Sequence, residues 1–173
     1  ALVEFSQQHR GLITAADLTA AGPVARTPLQ LKYRGDTVLT MPPPSSGGLA
    51  LMQTLQALVA WEQRTGRRWK ELPEADRWHV LIEIWQHAFA DRAEYLGDAD
   101  FVKVPVQQLS EPAYAERIAA RIDLTKTLPA EAYGRALVPD DHGTSHFSVM
   151  DADGNAVACT ETINTSFGSL MVE

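Results

Sequence analysis

The run Pro42-Pro43-Pro44-Ser45-Ser46-Gly47-Gly48 constrains the fold more than any other part of the chain. Proline fixes φ and has no N–H to donate, so three in succession exclude a helix interior and a central strand. Whatever precedes must end by Met41, and whatever follows must start anew. Before the run, Leu29 to Tyr33 alternates like a strand. Arg34-Gly35-Asp36 reads as a turn and Thr37 to Met41 as the returning strand of a hairpin. After the run, Leu49, Met52, Leu55, Gln56 and Val59 fall at helical spacing. That helix is expected to run to about Thr65 and to stop at Gly66.

Other segments carry similar signals. Leu2, Val3 and Phe5 have near-helical spacing, ended by Gly11. Thr14-Ala15-Ala16-Asp17 resembles a capping box, opening a short helix to about Ala20 that Gly22-Pro23 breaks. Pro73 stands where a first helical turn would begin, and Gly97 is a natural stop. Between them Trp78, Leu81, Ile82, Trp85, Phe89 and Arg92 share one face. Core packing explains Trp78, Trp85 and Phe89 more simply than an aromatic ligand box. Residues 111–122 form a weaker helix with Tyr114, Ile118 and Ile122 in line, and Leu128 to Asp141 reads as an exposed loop. Ser145 to Met150 and Ala156 to Asn164 alternate on either side of Asp151-Ala152-Asp153-Gly154-Asn155, a second hairpin. The class is α+β, with central helices and β-hairpins toward both ends.

Composition narrows the function. Hydrophobic residues at 45% and charged residues at 21% suit a globular domain with a real core. A formal net charge of -7 repels phosphate backbones, so nucleic acid is a poor partner. No apolar run approaches the roughly 18 residues of a membrane helix, and Ala1 to Phe5 do not resemble a signal peptide. Cys159 is the sole cysteine, so there is no intrachain disulfide and the compartment stays open. The apolar start without Met and the strand-like Ser169 to Glu173 lead us to expect a piece of a longer protein.

Four places could carry chemistry. His142 and His146 lie four apart among Asp140, Asp141 and Asp151. On a strand they would stand about 13 Å apart, so a polar loop and a sheet histidine fit better than a metal site. Asp151 to Asn155 fails the calcium-loop pattern, since Gly falls at position four and Thr162 at twelve. Ser45 to Gly48 could cradle a phosphate at a helix N-terminus, but there is no Walker lysine, and a tight loop with a Ser N-cap fits better. Last comes Gly143-Thr144. A threonine hydroxyl needs a base, and cleavage of this bond would give Thr144 its own. A free α-amine titrates at about 7.7–8.0, suited to accepting that proton near neutrality.

In order along the chain, Asp17-Leu18, Arg26-Thr27-Pro28 and Tyr33-Arg34-Gly35 lead to Pro43-Pro44-Ser45-Ser46-Gly47-Gly48. Ala90 to Asp98, Thr144-Ser145-His146-Phe147-Ser148-Val149, Asp153 to Ala158 and Thr162-Ile163-Asn164-Thr165-Ser166-Phe167-Gly168 follow. On these motifs the chain resembles the γ-glutamyltranspeptidase (glutathione hydrolase) family of N-terminal nucleophile hydrolases. The resemblance implies part of an αββα fold and a proenzyme that cuts itself between Gly143 and Thr144. It divides the chain into residues 1–143, from a large subunit, and 144–173, from a small one. It further implies Thr144 as nucleophile and Thr162 beside it, with Asn164 binding the α-end of the glutamyl group. Substrates would be γ-glutamyl compounds such as glutathione, with water or an acceptor amino acid or peptide taking the glutamyl group, and no metal or organic cofactor. The chain itself leaves localisation open, and the resemblance suggests a bacterial periplasmic or secreted protein.

Two departures stand out. Ser145 occupies a place where the family often has a second threonine, and Glu161 sits in a variable slot beside Thr162. The family's glutamyl-gripping arginine lies upstream of this stretch, and its oxyanion glycine pair comes later than the 30 residues after Gly143. Gly47 and Gly48 are not that pair. Each missing oxyanion donor costs about 10²–10³ in rate, so this chain alone is expected to be unprocessed and inactive. Its partner would be the remainder of the same proenzyme. Self-association through the apolar face of the second hairpin (Phe147, Val149, Val157, Ile163) is also expected. The alternatives are a cephalosporin-acylase-like amidase of the same superfamily, and a non-catalytic binding or scaffold domain.

Overall fold

A computed structural model describes residues 1–135 and 144–162. The elements in chain order are α1 (Leu2–Gln8), α2 (Ala15–Ala20), β1 (Leu29–Tyr33), β2 (Asp36–Thr40), α3 (Gly47–Thr65) and α4 (Glu74–Tyr95), then α5 (Val106–Leu109), α6 (Pro112–Ala119), β3 (Thr144–Met150) and β4 (Ala156–Thr162). They fall into two units, residues 25–137 and residues 1–24 with 138–173.

In the larger unit, β1 and β2 pair antiparallel with Leu31 opposite Val38. Arg34 and Gly35 both have positive φ (52° and 100°), the condition for a two-residue turn that matches strand twist. Asp36 therefore pairs with Tyr33, and β2 begins one residue before its predicted start. Leu31 is buried with Leu49, Met52 and Leu109.

The turn from β2 into α3 explains one of its two glycines. A Cβ on Gly48 would stand 1.9 Å from the Met41 carbonyl oxygen, whereas one on Gly47 would meet nothing within 4 Å. Gly48 thus lets the first turn of α3 lie against the end of β2. Ser46 holds the N-cap position, but its dihedrals are helical (φ -82°, ψ -27°) and its side chain makes no capping bond. The expected serine cap is not formed, because capping needs an extended backbone at that residue. The predicted capping box is formed: Asp17 N–H donates to Thr14 Oγ1 at 3.3 Å and Thr14 N–H to Asp17 Oδ2 at 2.8 Å. Gly66, at φ 69°, ends α3 as predicted and donates to the Glu62 carbonyl at 2.9 Å.

Helices α3, α4 and α6 enclose the main core of Leu58, Trp61, Val80, Ile84, Ala115 and Ile118. Here the helical face assigned to packing needs correction. Trp78, Trp85 and Phe89 are 51%, 38% and 49% exposed, while Ile84 is fully buried. The buried side of α4 instead carries Glu83, His87 and Asp91, which share a face at spacing four.

Glu83 and Asp91 are hydrogen-bonded, and His87 is held by a ring contact. Gln53 Nε2 donates to Asp91 Oδ2 at 2.7 Å, and the Tyr114 hydroxyl donates to the same carboxylate at 2.7 Å. Burial pushes the Asp91 carboxyl up, while the bonds from Tyr114 and Gln53 pull it down. Burial, then the bond to Asp91, pushes the Tyr114 phenol up. Glu83 accepts from the hydroxyls of Thr127 and Tyr133. His87 packs edge-on to Tyr133, 4.9 Å between ring centres, and its buried Nε2 has no hydrogen-bond partner among the described residues. Burial, helped by the Arg121 charge and opposed by that of Glu83, holds His87 at about 4.

Two expectations follow. Gly48→Ala should lower the urea midpoint by an amount equal to about 2 kcal/mol or more. Gly47→Ala, in open space at a helix start, should be neutral or stabilising by up to about 1 kcal/mol. Equal loss from both would contradict the steric account. For His87, the unfolded chain takes up a proton as pH falls through about 6.5, whereas the folded chain resists until about 4. Stability should therefore fall as pH drops across that window, by on the order of 1–2 kcal/mol. The raised Asp91 acts in the opposite sense. Urea titrations of His87→Leu across this range should show a flatter pH dependence than the parent, and an unchanged slope would refute the assignment.

Candidate functional site

The site is built on the hairpin of the smaller unit. Its turn is organised by one carboxylate. Asp151 Oδ1 accepts from the N–H groups of Asp153 at 3.0 Å and Asn155 at 2.8 Å, and Oδ2 accepts from Asn155 Nδ2 at 2.8 Å. Asp151 N–H donates to the Asn155 carbonyl at 3.0 Å, closing the turn. Gly154 takes the positive φ of 84° that the reversal requires. The bonds from Asn155 hold the Asp151 carboxyl below the usual range. Both oxygens are thus committed to the turn, in agreement with the hairpin reading of Asp151 to Asn155.

From this turn the register runs to the other end of the hairpin without a bulge. Met150 pairs with Ala156, Ser148 with Ala158, His146 with Thr160 and Thr144 with Thr162. The two threonines singled out in the sequence are therefore directly opposed. Opposed residues hold their β-carbons about 4.5–5.5 Å apart, and both of these threonines are exposed. Gly143 and Asn164 lie outside the described residues, as do His142 and Ile163.

Alternation puts Thr144, His146, Ser148, Thr160 and Thr162 on one face. Ser145 and Glu161 oppose each other on the other face, with Phe147, Val149, Val157 and Cys159. Glu161, although next to Thr162 in sequence, is directed away from the threonine pair. On the threonine face, His146 Nδ1 lies 2.7 Å from Thr160 Oγ1 and Nε2 lies 3.2 Å from Ser148 Oγ. His146 and Thr160 were not assigned a role from sequence. The signal was available, because both are equidistant from Asp153, as are Thr144 and Thr162. Among the described residues, no group of three or more His, Cys, Asp or Glu side chains is arranged to hold a metal ion.

Hairpin stability should depend on the turn carboxylate. Asp151→Ala should speed amide exchange at Phe147 and Cys159 roughly tenfold, the loss of about 1.4 kcal/mol of hydrogen bonding. Added calcium should leave exchange in the parent chain unchanged. A calcium-dependent slowing would restore the calcium-loop reading.

Comparison with known proteins gives a consistent result. The family model described as gamma-glutamyltranspeptidase matches residues 1–173. The chain is 45% identical over 173 residues to the glutathione hydrolase proenzyme of Escherichia coli (strain K12), covering 99% of this chain and 29% of that protein. Among solved structures, the gamma-glutamyltranspeptidase from Pseudomonas nitroreducens complexed with L-DON matches with a TM-score of 0.65 and 38% identity, covering 77% of this chain and 39% of that one. The cephalosporin acylase from Bacillus halodurans matches with a TM-score of 0.60 and 27% identity, covering 70% of this chain and 22% of that one. The chain thus spans under a third of the E. coli relative's length. Its mixed helix-and-strand fold is that of these N-terminal nucleophile hydrolases.

Proposed function

The chain belongs to the γ-glutamyltranspeptidase family, and from that premise we propose that it carries the processing junction and nucleophile of a γ-glutamyl-transferring proenzyme. The observation that carries this is the register of the second hairpin, in which Thr144 faces Thr162 across the strands. One hydroxyl is the attacking group and the other stands where it can orient it.

The chemistry has two stages. In the first, Thr144 Oγ1 attacks the Gly143 carbonyl carbon and the peptide nitrogen leaves with a proton, which gives an ester and a free Thr144 amine. Water then hydrolyses the ester, leaving a carboxylate on Gly143. In the second, the new amine takes the proton of its own hydroxyl and Oγ1 attacks the γ-carbonyl carbon of a γ-glutamyl amide such as glutathione. The amine product departs with that proton, and a γ-glutamyl ester stays on Thr144. Water gives hydrolysis, and an acceptor amino acid or peptide gives transfer. Thr162 orients Thr144, and Asn164 offers donors and an acceptor to the glutamyl α-end. Cleavage divides residues 1–143 from 144–173. The remainder of the proenzyme supplies the oxyanion donors and the α-carboxylate grip, so the 173-residue chain alone neither processes nor turns over substrate.

The acylase similarity favours one second reading: the same nucleophile acting on a cephalosporin side-chain amide. A substrate panel separates the two. Faster turnover of γ-glutamyl anilides than of glutaryl amides supports the glutamyl reading, and the reverse order supports the acylase reading.

Replacing Thr144 by Ala in the complete proenzyme should abolish both self-cleavage and γ-glutamyl anilide turnover. Thr144→Ser should keep measurable cleavage and activity, because the hydroxyl and amine remain. Thr162→Val should lower kcat at least tenfold. Normal cleavage of the Thr144→Ala proenzyme, seen as two bands on a denaturing gel, would remove Thr144 from the mechanism.

A further inference from the structure

The strand β4 contains an ambiguity. Thr160 and Thr162 lie two apart on the same face, separated by Glu161. A one-residue slip of β4 against β3 would turn every side chain to the wrong face, which the hairpin's alternation opposes. A two-residue slip would not. It would keep all faces and place Thr160, also a threonine, opposite Thr144. Hydroxyl would replace hydroxyl at Thr144, and the alternation of faces would not distinguish the two registers, although Val149 would trade Val157 for Asn155.

Two features do: the Asp151–Asn155 turn, whose bonds a slip would break, and one side chain near the open end. In the observed register His146 faces Thr160, with Nδ1 2.7 Å from Oγ1. In the slipped register His146 would face Ala158, which has nothing to bond, and Ser148 would face Ala156. The second ring nitrogen, 3.2 Å from Ser148 Oγ, fixes the ring along the strand. Hydroxyls donate or accept, so both contacts persist whichever nitrogen carries the proton. The histidine is also placed suitably. Its pair is the next one on this face after Thr144 and Thr162, at the end away from the Asp151 turn.

The geometry points to His146 and Thr160 as a register clamp at the open end, a pair of positioning residues whose cross-strand bond, together with the Asp151 turn at the far end, keeps Thr162 opposite Thr144. The inference rests on the reaction proposed above and adds two residues to it. Neither touches the reacting atoms; they act through the placement of Thr162.

The test is a double-mutant cycle in the complete proenzyme, with His146→Leu, Thr160→Val and the pair. Valine is isosteric with threonine and favours strands, so Thr160→Val preserves the fold. Each single change should slow self-cleavage and lower kcat for a γ-glutamyl anilide about tenfold, with KM within twofold. The pair should be no worse than either single change. Thr160→Ser and His146→Asn, which keep a hydrogen-bonding group, should recover to within about threefold. Wild-type kcat in either single variant, or effects that multiply in the pair, would overturn the clamp. The Thr144→Ala proenzyme, run alongside, separates the two claims: cleavage there sinks the nucleophile assignment whatever the clamp does. Nuclear magnetic resonance of the 173-residue chain reads the clamp without activity. Cross-strand contacts between Thr144 and Thr162 should be present in the parent and lost or weakened in Thr160→Val. Their full retention would overturn the clamp.

Discussion

A carboxylate in the middle of a helical core fixes how the helices of the larger unit are arranged. Asp91, on α4, accepts hydrogen bonds from Gln53 on α3 and from Tyr114 on α6. Taking a carboxylate out of water is costly, and the cost is offset only if its lone pairs find donors. Two donors from two neighbouring helices meet that condition only when α3, α4 and α6 stand at one spacing and rotation. The apolar residues around them, Leu58, Trp61, Val80, Ile84 and Ile118, supply most of the burial. Apolar burial alone tolerates alternative rotations. The polar contact selects one of them. The position of α3 is limited further at its start, where Gly48 leaves no room for a side chain beside Met41.

The same division of labour recurs in the second hairpin. The face opposite the threonines has Phe147, Val149 and Val157, which are apolar but not demanding of register. Register is set by polar groups: the Asp151 carboxylate at the turn and the His146–Thr160 pair near the open end. Directional bonds carry the specification in both units, and hydrophobic area supplies the bulk of the stabilisation. Under the proposed reaction this matters for chemistry, since the attacking Thr144 would need Thr162 opposite it and not two residues away.

Much of the fold was legible in local signals. The Thr14–Asp17 capping box, the proline run, Gly66 and the turns at Gly35 and Gly154 all mark boundaries through backbone chemistry that involves only a few residues. The facing of α4 was not legible. Its aromatic stripe suggested the core side, yet Glu83, His87 and Asp91 are buried because Thr127, Tyr133, Gln53 and Tyr114 meet them from elsewhere in the chain. No window on α4 shows those partners. The difference between Gly47 and Gly48 is hidden for the same reason, because the Met41 carbonyl becomes a neighbour only after folding. At the site, Thr144 and Thr162 were identified by family resemblance, and their opposition follows from the turn at Asp151. His146 and Thr160 carry no local signal of pairing; only counting outward from that turn brings them together.

The central claim is that Thr144 becomes the first residue of a separate polypeptide and faces Thr162 there. The most direct measurement is the N-terminal sequence of the smaller polypeptide recovered from the complete proenzyme after folding. The account predicts Thr-Ser-His-Phe-Ser-Val, starting at Thr144. A chain that stays intact while turning over γ-glutamyl substrate, or a smaller polypeptide that starts anywhere else, would contradict it.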